Sequence, residues 1–214
     1  MPVITISRQV GSFGDEIAER LSLELGYRYF DKFLMTEIAI ASGLTEDEVI
    51  DFNEDNYKIK GFFDQLFKRR VYLGKVTVRE KDDTGKELLT TKIFDEEESF
   101  AFVQAVIKKL VDWKDVVIVG RGGQVLLRNA PNTLHVRVIA PLDIRIKNIM
   151  KEKGLSGEEA LNYVSEKDKS AQEYLWRFYN VDWNDPELYH LVLNMGLLNI
   201  DQAVQIIKDA VKLV

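Results

Sequence analysis

The uninterrupted run Val116-Val117-Ile118-Val119 limits the fold more than any other segment. Four adjacent β-branched residues have no polar side to give to water. Such a strand needs helices on both faces, as in a parallel sheet. Its surroundings agree. Val103, Val106, Ile107, Leu110 and Val111 form a helical stripe before it, and Gly120-Arg121-Gly122-Gly123 turns the chain after it. The same alternation recurs at both ends. A short apolar run over 3–6 leads to a helix from Asp15, with Ile17, Leu21 and Leu25 on one face and Gly26 as its stop. Residues 27–31 predict a second strand and 134–139 another. Helices are predicted over 144–153, ended by Gly154, and from Ser156 or Gly157 to about 179. A last strand over 189–193 precedes a last helix over 201–214. Alternating elements imply right-handed crossovers and helices on both faces of a parallel sheet.

Residues 34–95 break the rhythm. A helix is expected over 36–41, and Thr45-Glu46-Asp47-Glu48 has the form of a capping box. Two β-like runs, 71–79 and 88–94, flank Asp82-Asp83-Thr84-Gly85-Lys86 and predict a hairpin. No proline- or glycine-rich linker bounds the stretch, so it reads as an insertion at about 34–98 within one domain, 1–214.

Composition narrows the chemistry. At 46% apolar and 30% charged residues, the chain is an ordinary globular one. Thirty-five acids against 29 bases leave a formal charge of −6, which argues against nucleic-acid and basic membrane-surface partners. Without cysteine, disulfides, thiolate metal sites and cysteine nucleophiles are excluded. His135 and His190 lack zinc-ligand spacing, so no metal site is expected. The first residues lack the basic head and apolar stretch of a signal peptide, and no run suits a membrane helix. A cytoplasmic location is the expectation.

In open α/β sheets ligands bind beyond the carboxyl ends of the strands. There, Ser7-Arg8-Gln9-Val10-Gly11-Ser12-Phe13-Gly14 joins the first strand to the first helix. Glycines let backbone N–H groups curl around an anion, and the helix N-terminus adds positive potential. A plain tight turn is the alternative. The order of short motifs along the chain adds to this. Ile4-Thr5-Ile6-Ser7-Arg8 with Gly11-Ser12-x-Gly14, Phe30-Asp31, Val117-Ile118-Val119-Gly120-Arg121-Gly122, Leu134-His135-Val136-Arg137, Ala140-Pro141-Leu142-Asp143-Ile144-Arg145, Asp182-Trp183 and 189–194 stand in sequence. Together they resemble the cytidylate kinase-like branch of the P-loop nucleoside monophosphate kinases.

The resemblance implies a three-layer P-loop fold with a five-stranded parallel sheet. It also implies an inserted α/β-hairpin region over the acceptor and a helical lid at about 154–180. The implied reaction moves the γ-phosphoryl group of ATP, with Mg2+, to a nucleoside monophosphate. By the same resemblance Ser7, Arg8, Gly11, Ser12, Phe13 and Gly14 would hold the ATP phosphates. Asp31, Arg121 and Arg145 would serve the monophosphate, and Arg8 and Asp168 the transfer itself. Arg145 has a structural alternative, an ion pair with Asp143 or another acid.

Two departures weaken the chemistry. The motif Gly-x-x-x-x-Gly-Lys-Ser/Thr is absent, and against the modified loop that the resemblance implies, Gly-Ser-Gly-Gly followed by a basic residue, Phe13 stands for a glycine and Asp15 for the base. In the lid, Asp168 is kept, but Ala171 stands where the pattern has arginine, while Lys167 and Lys169 read as solvated. Gly122 replaces the aspartate of a Gly-Arg-Asp turn. Arg137 reads as a strand-end charge, and Trp183 and Tyr189 as packing residues. Three readings stay open: a weak nucleoside monophosphate kinase, a pseudokinase that binds a nucleotide or phosphorylated small molecule, and a partner-binding module. An oligomer is left open, with Phe62, Phe63, Phe67 and Tyr72 as a candidate surface or as core.

Overall fold

The computed structural model describes residues 2–31, 72–81 and 87–214. In chain order the elements are β1 Val3–Arg8, α1 Gly14–Leu25, β2 Arg28–Phe30, β3 Tyr72–Lys81, β4 Glu87–Asp95, α2 Glu96–Trp113, β5 Val116–Val119, α3 Gly123–Leu126, β6 Thr133–Ile139, α4 Leu142–Lys153, α5 Gly157–Tyr179, β7 Leu191–Asn194 and α6 Ile200–Ala210. Five strands form one sheet in the order β2-β5-β1-β6-β7, and every pairing is parallel. β3 and β4 make a separate antiparallel pair, Tyr72 opposite Asp95 and Lys81 opposite Glu87. The predicted hairpin is present. The expected helix at 36–41, the capping box at 45–48, the turn at 82–86 and the aromatics Phe62, Phe63 and Phe67 lie outside the described residues.

Strand alternation divides the core in two. Ile4 and Ile6 point one way with Val117, Val119, Leu134, Val136 and Val138. They meet Ile17, Ala18 and Leu21 of α1 and Ala203, Val204 and Ile207 of α6. Val3 points the other way with Phe30, Val116 and Ile118, and meets Val103, Ile107 and Leu110 of α2. All four residues of β5 are buried, which is why none is polar.

The sheet centre on the second face carries polar groups. Thr5 and Ser7 of β1 and His135 and Arg137 of β6 are each 3% exposed or less. The last strand begins at Leu191, two residues later than its sequence pattern suggests, because Pro186–Leu188 forms a 3-10 turn and Tyr189 caps it. No helix among the described residues is long and apolar enough to cross a membrane.

One buried group sets a pH limit on this fold. His135 shares a 2.7 Å hydrogen bond with the Thr5 hydroxyl through Nδ1, and its Nε2 is buried without a partner. The two histidines, far apart in sequence, are stacked with ring centroids 5.0 Å apart. Burial, assisted by His190, pushes the His135 pKa down from 6.5 to about 4. Between these values the unfolded chain binds the extra proton, so stability rises with pH. The contribution is complete above pH 6.5 and lost as pH falls towards 4. At about 1.4 kcal/mol per pKa unit it amounts to about 3 kcal/mol. Urea unfolding at pH 4.5 and 7.5 should show this slope, and His135→Asn should flatten it. An equally steep slope in the variant assigns it to carboxylates instead.

Candidate active site

The site grows from the end of β1, the central strand. Gln9 continues the strand register, donating its N–H to the Val138 carbonyl at 3.0 Å, while its side-chain oxygen accepts from Ala140 N–H at 3.1 Å. The chain then bends. Ser12 Oγ donates to the carbonyls of Gln9 (2.7 Å) and Val138 (3.2 Å), and so closes the turn against β6. Phe13 completes it at φ 67, ψ 10, the left-handed region, as the residue before α1. A side chain there costs on the order of 1 kcal/mol, which is why the related pattern has glycine. Phe13 offsets that cost by packing on the core. No side chain caps α1, so its first N–H groups are left to backbone and solvent.

Gly14 is required by contact rather than by conformation. A Cβ there would lie 2.3 Å from Cβ of Arg8. The arginine stem thus crosses the start of α1, and its Nε donates to Asp15 Oδ1 at 3.0 Å. Asp15 stands where the resemblance calls for a base, and it engages the one loop arginine.

Arg145 and Asp168, 23 residues apart, are brought together. Arg145 Nη1 donates to Asp168 Oδ2 at 2.5 Å, with the side chains 8% and 15% exposed. The alternative partner, Asp143, instead lies 3.9 Å from Lys147. Asp168 Oδ1 also accepts from Val10 N–H of the turn, at 3.4 Å.

Arg121 follows β5 at φ 61 and is 4% exposed. The Tyr179 hydroxyl donates to its carbonyl at 3.4 Å. Gly122 then allows what the aspartate of the resemblance would block: its missing Cβ would sit 2.5 Å from the Tyr179 ring. Asp31 lies at the carboxyl end of the edge strand β2, two strands from β1.

Ala171, in the arginine's place, is 4% exposed and packs with Tyr174, Leu175 and Trp183. An arginine there would be buried. Arg137 is no strand-end charge but 3% exposed. It donates to the Trp183 carbonyl, to Tyr189 Oη at 3.1 Å and to Asn184 Oδ1 at 2.8 Å, and stacks 4.2 Å over the Trp183 ring. Trp183 and Tyr189 do more than pack: Trp183 Nε1 donates to Ser7 Oγ at 2.7 Å. The reading of Lys169 as solvated holds, since it is 74% exposed and lies 3.7 Å from Glu173. Sequence reasoning missed Gln9 and Asn148, whose Nδ2 donates to the Gly11 carbonyl at 2.8 Å. The polar alternation of His135 and Arg137 in an apolar strand was the one legible sign of the buried network.

A five-stranded parallel sheet whose central strand runs through a tight turn into a helix is the architecture of the P-loop kinases. Two solved structures share it: a protein of Eubacterium ventriosum (TM-score 0.66, 20% identity, 99% of each chain) and shikimate kinase from Acinetobacter baumannii in complex with shikimate (TM-score 0.52, 14% identity, 99% of this chain and 93% of that one). The chain belongs to the cytidylate kinase-like family, whose profile matches residues 3–197. A cytidylate kinase of Methanopyrus kandleri is 28% identical over 98% of this chain and 92% of its own length. Two other relatives, each 32% identical, match only locally. A uronate isomerase of Corynebacterium glutamicum is matched over 44% of this chain and 18% of its own length, and a cytidylate kinase of Methanosarcina barkeri over 40% and 48%.

Proposed function

We propose that the chain binds a nucleoside triphosphate at the turn after β1 and a phosphorylated acceptor near Arg121, and transfers a phosphoryl group slowly. The observation that carries this is the turn of residues 7–14, at the carboxyl end of the central strand, leading into a helix that no side chain caps. Backbone N–H groups in such a bend hold phosphate without a lysine. Magnesium would arrive as the ATP complex, as part of the substrate. A nucleoside monophosphate is the acceptor class that fits the family; the base is unassigned because Gly122 offers no side chain to read it. A second reading, binding without turnover, is favoured by the Arg8–Asp15 ion pair, which engages the loop arginine.

Titration with nucleoside mono- and triphosphates, followed by thermal unfolding, tests this. A ligand at one hundred times its Kd adds about 2.7 kcal/mol. Failure of every nucleotide to shift the transition removes both readings and leaves the partner-binding module. Within the proposal Arg121→Ala should weaken monophosphate binding by roughly 1.5–3 kcal/mol, the worth of a charge-assisted contact. Unchanged affinity with a collapsed melting temperature would make Arg121 structural.

A further inference from the structure

We propose that the carboxylate of Asp168 is an acidic latch on the turn, holding the place that a phosphoryl group takes when an anionic ligand binds. The inference rests on the reading of that turn as a phosphate site, and adds how the site is occupied without ligand.

The two donors on Asp168 are those a phosphate uses. One is a backbone N–H of the turn, from Val10 to Oδ1 at 3.4 Å; the other is a guanidinium, from Arg145 to Oδ2 at 2.5 Å. The carboxylate underfills them. Arg145 is 7% exposed, and its Nε is buried with no acceptor in the described structure. A guanidinium offers five N–H groups in a planar fork, and a two-oxygen carboxylate that also serves Val10 cannot take both of its edges. A phosphoryl group brings three oxygens, one for Val10 N–H and two for a full edge of the Arg145 fork. The orphaned Nε lies on the edge of the fork that the Nη1-bound carboxylate leaves unused.

The latch and the guanidinium come from two helices, α5 and α4, that pack on each other through Val164 and Ile149. α4 is tied to the turn by Asn148 Nδ2 on the Gly11 carbonyl at 2.8 Å, so Arg145 and the turn keep their relation. Asp168 comes from α5, between Val164 (0% exposed) and Ala171 (4%) on one helix face. Entry of a phosphoryl group places a second negative charge against Asp168, and the repulsion drives this part of α5 away from the turn.

The test is calorimetric titration at low ionic strength with inorganic tripolyphosphate. The proteins are wild type, Asp168→Asn, Asp168→Ser and, as a control of equal charge change on the same helix, Glu173→Gln. Neutralising Asp168 should tighten tripolyphosphate binding by about tenfold or more, while Glu173→Gln stays within about twofold of wild type, as expected for a half-buried carboxylate already engaged by Lys169. Hydrogen exchange of the wild type supplies a readout that needs no variant: amides over 164–172 should exchange faster with tripolyphosphate bound. Folded Asp168 variants that bind no tighter, equal tightening by Glu173→Gln, or unchanged exchange over 164–172 in the bound wild type would each overturn the latch and leave the phosphate site standing. Absence of tripolyphosphate binding in every protein would overturn the phosphate site itself.

Discussion

With ATP, magnesium and CMP, UMP, dCMP or AMP, the wild-type chain is expected to turn over well below the roughly 1–100 s⁻¹ of kinases. Phosphoryl transfer needs positioning and neutralisation of charge on the transferring group more than covalent chemistry. Losing an arginine that stabilises this charge costs on the order of 10³-fold in rate. Here two expected cations are missing. Asp15 replaces one and draws Arg8 into a 3.0 Å ion pair. The other position holds Ala171, buried in a cluster with Trp183. Asp15→Arg should raise product formation by roughly ten- to a thousandfold, because it removes a carboxylate and adds a cation. Asp15 is 60% exposed, so the fold should tolerate the change. Ala171→Arg should instead destabilise the protein by about 3 kcal/mol or more, since it forces a guanidinium into a packed cluster. A wild-type rate already within the kinase range would show that the catalytic cations come from elsewhere in the chain.

Arg137→Leu is expected to destabilise the fold by about 3 kcal/mol, lowering the melting temperature by roughly 6–12 °C for a chain of this size. The guanidinium lies over Trp183 at 4.2 Å and Tyr189 at 5.4 Å, where a desolvated cation–π contact is worth about 2 kcal/mol. Its removal also loses charge-assisted hydrogen bonds to the Trp183 carbonyl, which keeps the Tyr189 hydroxyl as a donor, and to Asn184 Oδ1 of an exposed residue, each worth about 1.5–3 kcal/mol. The cost of burying a cation is recovered in the variant and keeps the sum near 3 rather than 6 kcal/mol. Trp183→Phe separates the parts. It keeps a ring under Arg137 and loses the 2.7 Å hydrogen bond to Ser7, about 1 kcal/mol, together with the packing of the larger buried indole. Urea unfolding of both variants measures the difference. An Arg137→Leu protein as stable as wild type would mean that the arginine is kept for ligand binding rather than for the fold.

Local pattern was enough for the frame. The β-branched run of β5, the alternating apolar positions of β1 and the helical stripes of α1 and α2 each state how many faces an element must bury. Only a sheet covered on both sides satisfies all of them. Ser156 was legible as a helix start, and the structure has the reciprocal bonds between Ser156 and Glu159. The glycine turn was legible because it departs from the periodicity on either side.

The partners of the polar residues were decided by tertiary structure alone. Arg145 finds Asp168 rather than its sequence neighbour Asp143, His135 meets His190, and Ser7 meets Trp183 across nearly the whole chain. Periodicity says which side of an element is buried, because burial depends on the element's own repeat. It carries no record of which residue of another element arrives opposite. A helix seated one turn further along would bury an equivalent apolar stripe and give each of these polar groups a different partner.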